Sequence, residues 1–112
     1  MSREFLEDSI PTIVCLCGST RFRDAFTEAN YSETMAGKIV LSVGFFMHSP
    51  HGQERGCTAE QKIALDELHK RKIDLCDEVL VLNIGGYIGS STRSEIDYAL
   101  AHNKPVRYLE PQ

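Results

Sequence analysis

The sequence predicts an α/β fold: a single doubly wound domain with a parallel sheet of four to five strands, in the order 2-1-3-4, and helices on both faces. Short, uninterrupted apolar runs such as Ile13–Cys17 and Val79–Leu82 are typical of strands buried on both faces. Segments with helical spacing separate these runs, which indicates βαβ units with right-handed crossovers. The 112 residues amount to one domain, 1–112, within which residues 1–10 are a candidate disordered segment.

The N-terminal half is predicted to hold two strands and the helix between them. The first strand ends at Gly18, and apolar residues at near-helical spacing then predict a helix that continues to about Ala36 and stops at Gly37. These apolar residues are Phe22, Phe26 and Ala29. The apolar segment Lys38–Phe46 predicts the second strand, and a loop rich in turn residues, His48–Gly52, follows it.

The C-terminal half is predicted to hold two helices and two strands. The longest helix is predicted at Ala59–Cys76, where charged residues crowd one set of positions. The third strand is Val79–Leu82, the final helix is Thr92–Asn103, and Val106–Leu109 is the fourth strand. The apolar residues expected on the core-facing sides of the helices are Ile63, Leu68 and Leu75 on the first and Ile96, Ala99 and Leu100 on the second.

This topology also predicts where a ligand binds. In open parallel sheets the ligand crevice lies beyond the carboxyl ends of the strands, where the strand order reverses. For the order 2-1-3-4, that crevice is flanked by the loops after strands one and three. Both loops, Gly18–Thr20 and Asn83–Ser91, are rich in glycine and serine. We therefore expect one binding site between them.

Composition excludes several classes of protein. With 42% hydrophobic and 25% charged residues the chain is globular rather than disordered or fibrous. A net charge of -4 argues against a nucleic-acid polymer as partner, so any such ligand is a monomer. The segment Met1–Asp8 lacks the apolar region of a signal peptide, and no apolar run approaches a bilayer's width. We expect a cytoplasmic protein with no membrane partner.

Cysteine spacing gives no sign of a disulfide framework. Cys15 and Cys17 are spaced for one face of a strand, and Cys57 and Cys76 lie far apart in the sequence. We interpret all four as buried thiols of a reducing compartment.

The loop Gly18–Arg21 has two interpretations. Its backbone N–H groups, Gly18, Ser19 and Thr20 included, could face an anion at a helix N-terminus while Arg21 binds a phosphate. It could equally be an ordinary turn in which Ser19 or Thr20 caps the helix and Arg21 is solvated. Neither a Walker A lysine nor a full G-x-G-x-x-G motif follows.

Glu95 is placed by the predicted boundaries in the first turn of the final helix, at the mouth of the crevice. The spacing Thr92-Arg-Ser-Glu95 fits a capping box, in which the Glu95 side chain turns back to the Thr92 N–H. A glutamate folded back in this way cannot act as a nucleophile. Spacing alone favours the cap.

Histidines offer weaker signals. His69 and Asp74 lie near the end of the long helix, in a stretch whose default interpretation is a solvated charged face with pairs such as Lys70 and Asp74. His48, His51 and Cys57 match no familiar ligand spacing, so we expect no metal and no cofactor.

Three segments together resemble a known family: Cys17–Arg21, Cys76-Asp-Glu-Val-Leu-Val81, and Gly89–Val106 with its Gly-Ser-Ser-Thr-Arg-Ser-Glu95 start. They resemble the nucleoside 2-deoxyribosyltransferase superfamily, including the 2'-deoxynucleoside 5'-phosphate N-hydrolases, over nearly the whole chain from Ile13 to Pro111. The resemblance implies that Glu95 attacks the anomeric carbon of a (deoxy)nucleoside or nucleoside 5'-monophosphate. It also implies a homodimer or higher homo-oligomer.

The chain departs from that family at two positions. An aspartate of the family falls on His69 here, and a tyrosine of the N-hydrolases falls on Cys15. An imidazolium at His69 can protonate a departing base in principle, so His69 joins Glu95 as a catalytic candidate. Gly18, Ser19, Thr20, Arg21, Gly89, Ser91 and Thr92 are the candidates for binding sugar or phosphate.

Two alternatives to this enzyme remain at the level of sequence. Gly85-Gly86 with Thr92-Arg-Ser-Glu95 is similar to a stretched form of the Gly-Gly-x-Gly-Thr-x-x-Glu loop of the cytokinin-activating phosphoribohydrolases, which also cut an N-glycosidic bond. The altered positions at His69 and Cys15 equally suit a non-catalytic nucleotide-binding or sensing domain of the same fold.

Overall fold

A computed structural model describes residues 10–46 and 58–112 of the chain. In chain order the elements are β1 (Ile13–Cys17), α1 (Arg23–Met35), β2 (Ile39–Leu41), α2 (Ala59–Leu75), β3 (Glu78–Val81), a 3-10 turn (Ile84–Gly86), α3 (Ser90–Ala101) and β4 (Val106–Tyr108). The predicted loop His48–Gly52, and all of the candidate disordered segment 1–10 except its last residue, lie outside the described residues.

The four strands form one sheet in the order β2-β1-β3-β4, and every neighbouring pair is parallel. This confirms the predicted fold class and strand order. The register pairs Val14 with Glu78 and Cys17 with Val81, so β1 and β3 end level with each other. The strand order reverses between these two strands, and their carboxyl ends therefore open the crevice that such sheets use for ligands.

Each face of the sheet carries its own hydrophobic core. On one face α1 packs Phe26 and Ala29 against β1 and β3 residues such as Leu16 and Leu80. On the other face α2 and α3 cover the sheet, and the buried members of that cluster are Cys15, Cys17, Ile73, Cys76, Val79, Val81, Ile96 and Ala99. Double coverage explains the uninterrupted apolar runs, because both alternating sets of strand side chains are removed from water.

The predicted core-facing sides of the helices need correction. On α2 the buried residues are His69 and Ile73, whereas Ile63, Leu68 and Leu75 are exposed. On α3 Ile96 and Ala99 are buried as predicted, but Leu100 is 57% exposed. Each of the two helices therefore buries fewer apolar residues than its apolar positions predicted.

Element boundaries shift by a few residues from the predictions. The second strand covers Ile39–Leu41 rather than Lys38–Phe46, and α3 begins at Ser90 instead of Thr92. Gly37, with a φ of 89°, follows α1 as expected for a residue that ends a helix. Among residues 10–46 and 58–112, no helix combines the length and the apolar character required to cross a membrane.

The three cysteines that the structure describes, Cys15, Cys17 and Cys76, are buried and form no disulfide, as predicted for them.

Candidate functional site

A cavity of about 460 Å³ opens at the carboxyl ends of β1 and β3, where the topology predicts the ligand crevice. Its walls are Gly18–Thr20 after β1, Val43–Phe45 after β2, one side of α2 between Lys62 and Lys72, and the segment from Tyr87 to Glu95. Cavities of a few hundred Å³ with a few convergent polar groups are typical of small-molecule sites. We call this space the cavity.

Gly18 fixes the loop after β1 close to β3. A Cβ atom at this position would lie 3.1 Å from Cβ and 3.2 Å from the carbonyl oxygen of Leu82, which is closer than side chains normally approach. The Ser19 carbonyl accepts a hydrogen bond from the Phe22 N–H, and the Ser19 hydroxyl accepts one from the Arg21 N–H. Neither Ser19 nor Thr20 caps α1, so the capping alternative for this loop is wrong.

Glu95 does not belong to a capping box. The N-cap residue of α3 is Gly89 and no side chain caps it, so Thr92 lies inside the first turn and Glu95 lies in the second. The predicted cap and the predicted first-turn position are both corrected by this earlier helix start. Glu95 is instead buried, with 8% of its surface exposed, and its side chain lines the cavity.

His69 is also buried beside the cavity, with 7% of its surface exposed. The solvated interpretation of the Asp66–Asp74 stretch is therefore wrong for His69, although Asp74 is exposed as expected. Asp74 pairs with Arg71 and accepts a hydrogen bond from Tyr98, and no pair with Lys70 is found among the described residues. Helical geometry explains the difference, since His69 lies one turn before the buried Ile73 and shares its face.

The structure brings His69 and Glu95 together with two thiols. Nε2 of His69 lies 4.0 Å from Oε1 of Glu95. The same nitrogen lies 3.7 Å from Sγ of Cys15, 3.6 Å from Sγ of Cys17 and 3.1 Å from the carbonyl oxygen of Leu16. The two cysteines are two residues apart on β1 and therefore share one face of the sheet, so both side chains point toward α2 and α3. We call Cys15, Cys17, His69 and Glu95 the buried cluster.

The pKa values in the buried cluster are displaced from their usual range. Burial raises the pKa of Glu95, an effect that the charge of His69 opposes. Burial lowers the pKa of His69, but the hydrogen bond to Cys15 and the charge of Glu95 outweigh it, so the pKa of His69 is raised. Each group favours the charged form of the other, but burial still leaves the pKa of Glu95 above its usual value. Perturbed groups of this kind concentrate at functional sites.

The two thiols influence each other in opposite directions. A hydrogen bond from Cys17 lowers the pKa of the Cys15 thiol to about 5. Burial acts in the opposite direction, and the hydrogen bond and charge of His69 add to the lowering. The hydrogen bond between the two thiols, together with burial, raises the pKa of Cys17 well above its usual range. These directions favour Cys15 as the thiolate and Cys17 as the proton donor of the pair.

Six of the seven predicted binding residues line the cavity: Gly18, Ser19, Thr20, Gly89, Ser91 and Thr92. Arg21 is not brought to it. Its guanidinium lies 4.4 Å from the centre of the Tyr87 ring and lines a separate groove on the α1 side. The guanidinium stacks on a ring that lines the cavity, but Arg21 itself does not line it.

Three charged residues of α2 at the cavity wall were not predicted. Lys62 donates hydrogen bonds to Ser91 (2.8 Å) and to Asp66 (2.9 and 3.0 Å), and Lys72 donates to the carbonyl oxygen of Ser42 (2.7 Å). Lys62, Asp66 and His69 recur at intervals of four and three residues, which is the spacing of one helical face. This spacing could have indicated from the sequence that these residues share one face of α2 with Ile73, which is buried.

The only metal site considered from the sequence, His48, His51 and Cys57, lies outside the described residues. Comparison with known proteins adds no relative: no family model, no curated protein and no solved structure matches the chain.

Proposed function

We propose that this chain cleaves or transfers the N-glycosidic bond of a (deoxy)nucleoside or nucleoside 5'-monophosphate, with Glu95 as nucleophile. One observation carries the proposal: a carboxylate is buried in the wall of a nucleoside-sized cavity at the switch point of a parallel sheet, with an imidazole 4.0 Å away. The family resemblance supplies the reaction class, and the geometry supports it because Glu95 is not used as a helix cap.

The chemistry requires a carboxylate beside the anomeric carbon. Cleavage of a glycosidic bond passes through an oxocarbenium-like transition state, which an ionised carboxylate stabilises. An oxygen of Glu95 forms a bond to the anomeric carbon as the carbon–nitrogen bond breaks, and the electron pair of that bond leaves with the base. Water, or a second base, then attacks the same carbon and releases Glu95.

His69 is the partner of Glu95 in this proposal. It reaches both the carboxylate and the cavity, so its imidazolium can protonate the departing base, and the neutral imidazole can then accept a proton from the attacking water. A charged imidazole at this position also favours the ionised carboxylate, because its charge lowers the pKa of Glu95 against the effect of burial.

The 5' end of the substrate is proposed to bind at the start of α3. Gly89, Ser91 and Thr92 present the first turn of this helix to the cavity, where the helix dipole favours negative charge. The ammonium of Lys62 lies 2.8 Å from Oγ of Ser91 and adds a positive charge at the same place. Gly18, Ser19 and Thr20 form the opposite wall, against which the sugar would lie.

A non-catalytic nucleotide-binding domain is the second candidate. The observation that favours it is the engagement of Nε2 of His69, which already contacts the Leu16 carbonyl and both thiols of the buried cluster. A histidine with these contacts can form part of the wall of a binding site without transferring a proton.

Incubation of the purified chain with deoxynucleosides, nucleosides and their 5'-monophosphates, followed by chromatography, tests the proposal. Release of a free base, or its exchange when a second base is added, is expected for at least one substrate. Activity confined to ribose 5'-monophosphates would instead select the phosphoribohydrolase type. Tight calorimetric binding of a ligand that stays intact after long incubation would replace the enzyme by the sensing domain.

We also propose that the chain acts in the cytoplasm and, from the family resemblance, that it forms a homodimer or higher homo-oligomer. Light scattering of the purified chain measures the second point directly, since a monomer mass would contradict it.

A further inference from the structure

The buried cluster contains two thiols that the proposed glycosidic chemistry does not use, and they lie beside the histidine that it does use. Sγ of Cys15, Sγ of Cys17 and Nε2 of His69 all lie within 4.8 Å of one another. Both cysteines are fully buried, and His69 is 7% exposed. The carboxylate of Glu95 stands beside the same nitrogen. Two sulfurs and one imidazole nitrogen are a known set of zinc ligands, and carboxylate oxygen also binds zinc.

We propose that Cys15, Cys17 and His69 form a binding site for Zn²⁺ or a similar thiophilic cation, with Glu95 in the fourth position. The inference goes beyond the proposed function and does not depend on it.

The distances suit one tetrahedral ion. Zinc binds thiolate sulfur at about 2.3 Å and imidazole nitrogen at about 2.0–2.1 Å, which places sulfur and nitrogen about 3.6 Å apart at a tetrahedral angle. The observed separations from Nε2 of His69 are 3.6 Å to Cys17 and 3.7 Å to Cys15. A single ion between these atoms therefore needs adjustments of only a few tenths of an ångström.

The fourth position requires a larger movement. Nitrogen and carboxylate oxygen on one tetrahedral zinc lie about 3.4 Å apart, whereas Nε2 of His69 and Oε1 of Glu95 are separated by 4.0 Å. Rotation of the glutamate side chain closes such a gap. Glu95 and His69 both line the cavity, which gives the ion a path from solvent to the sulfurs behind them.

The backbone holds the ligands in place before any ion arrives. Cys15 and Cys17 lie on one side of β1, which is one of the two strands with paired neighbours on both edges. His69 comes from α2, one turn before Ile73, which is fully buried against the same face of the sheet. Ligands supplied by packed elements lose little freedom on binding, which favours affinity.

Metal binding changes the hydrogen bonding of His69. Its Nε2 atom lies 3.1 Å from the Leu16 carbonyl, so in the metal-free chain this nitrogen donates its proton there. A bound ion takes the place of the proton on Nε2, which leaves to solvent together with any proton on either sulfur, while Nδ1 carries the remaining ring proton. Thiolate ligands select zinc-like cations over magnesium or calcium.

Metal and glycosidic chemistry would exclude each other at this site. An ion ligated by His69 and Glu95 removes both groups from the sugar, so zinc is expected to suppress any base release. The site would then make the activity sensitive to free zinc.

Titration of the reduced, chelator-treated chain with Co²⁺ tests the site. The expected result is one ion per chain, with a thiolate-to-cobalt charge-transfer band and the visible absorption of a tetrahedral ion, both removed by added Zn²⁺. Cys15→Ser and Cys17→Ser should each weaken zinc binding at least about tenfold, since even the groups that orient metal ligands contribute about that much.

Two other cysteines provide matched controls. Cys76→Ser changes a buried thiol on the same sheet face that donates to the Ile73 carbonyl, and Cys57→Ser changes the remaining cysteine of the chain. Both variants should keep the cobalt spectrum and the zinc affinity. Loss of the charge-transfer band in either one, with retention in Cys15→Ser and Cys17→Ser, would overturn the assignment.

X-ray absorption at the zinc edge keeps the proposal testable if a cysteine variant fails to fold. The zinc-loaded wild-type chain should show two sulfur ligands and two nitrogen or oxygen ligands. A first shell without sulfur, or no stoichiometric binding at all, would refute the site.

Discussion

Nε2 of His69 on α2 lies 4.0 Å from Oε1 of Glu95 on α3, although the two residues are 26 positions apart in the sequence. Each residue is more than nine-tenths buried. A buried carboxylate is retained at a cost unless a charged or hydrogen-bonding partner offsets its lost hydration. The imidazole of His69 supplies that partner for Glu95.

Glu95→Gln separates the nucleophile from a structural role. The amide keeps the shape of the side chain but cannot form the glycosyl-enzyme or balance the charge on the sugar. We expect base release to fall at least about a hundredfold, which is roughly 2.7 kcal/mol of transition-state stabilisation, with a melting temperature that stays nearly unchanged. Chromatography and calorimetry measure the two quantities.

Glu67→Gln is the control for that variant. Glu67 lies on the outer side of α2 with its side chain 61% exposed, so this change should leave base release as it is. Full activity in Glu95→Gln would remove the carboxylate from the mechanism.

The fold was predictable because burial on both sides of a parallel sheet leaves a direct mark on the sequence. The runs at β1 and β3 have no polar interruptions, and the observed strand order follows from the usual arrangement of such units. The apolar side of α2 was not predictable in this way. Ile63, Leu68 and Leu75 are apolar yet exposed, and a histidine takes the buried position that periodicity would assign to an aliphatic residue.

The site was only partly predictable for two physical reasons. The start of α3 lies two residues before the predicted one, which turns a capping spacing into a second-turn position for Glu95. The contact between Cys15 and His69 joins residues 54 apart, and only the packing of α2 on the sheet creates it. Loop residues such as Gly18 and Gly89 were placed correctly because strand topology alone fixes which loops meet.

Gly18→Ala should destabilise the fold through one close contact. The added methyl group would lie 3.1 Å from Cβ and 3.2 Å from the carbonyl oxygen of Leu82, which is backbone-anchored and cannot yield easily. We expect a loss of roughly 1–3 kcal/mol in the free energy of unfolding, as for other overpacked sites. Urea unfolding measures it against Gly44→Ala, where the new methyl group meets nothing within 4 Å. Equal stability of the two variants would contradict the close approach.

The ion pairs of Glu78 should make stability depend on pH. The hydrogen bond from Lys38, with a further one from Arg107, lowers the pKa of Glu78. A carboxylate whose pKa is lowered by folding stabilises the protein above its unfolded pKa, near 4.3, and that contribution disappears as pH falls through the folded value. Glu78→Gln should therefore lower the melting temperature at pH 7. The loss in the free energy of unfolding should be about 1 kcal/mol or less, because the Glu78 side chain is partly exposed.

Melting curves of both proteins between about pH 7 and pH 3 check the sign of this effect. The difference between wild type and Glu78→Gln should shrink as the pH falls below about 5. A difference that stays constant, or grows toward acid, would show that the ion pairs contribute nothing.

Lys62 rather than Arg21 is expected to recognise a 5'-phosphate, since only Lys62 lines the cavity and contacts the start of α3. Lys62→Met removes the charge while keeping most of the aliphatic stem. A hydrogen bond to a charged group contributes roughly 1.5–3 kcal/mol, so the monophosphate should bind about 10-fold to 150-fold more weakly and the free nucleoside almost unchanged. Arg21→Ala should alter neither ligand appreciably, because Arg21 lines the groove on the α1 side and not the cavity.

Asp66 complicates the interpretation of that variant, and a second change resolves it. Lys62 pairs with both carboxylate oxygens of Asp66, so Lys62→Met leaves a carboxylate at the cavity wall without its cation, where it would repel a phosphate. Adding Asp66→Asn removes this repulsion. If Lys62 binds the phosphate directly, the double variant stays weak for the monophosphate in calorimetry. Recovery of wild-type affinity would instead assign Lys62 the task of neutralising Asp66, and a selective loss in Arg21→Ala would return phosphate recognition to the loop after β1.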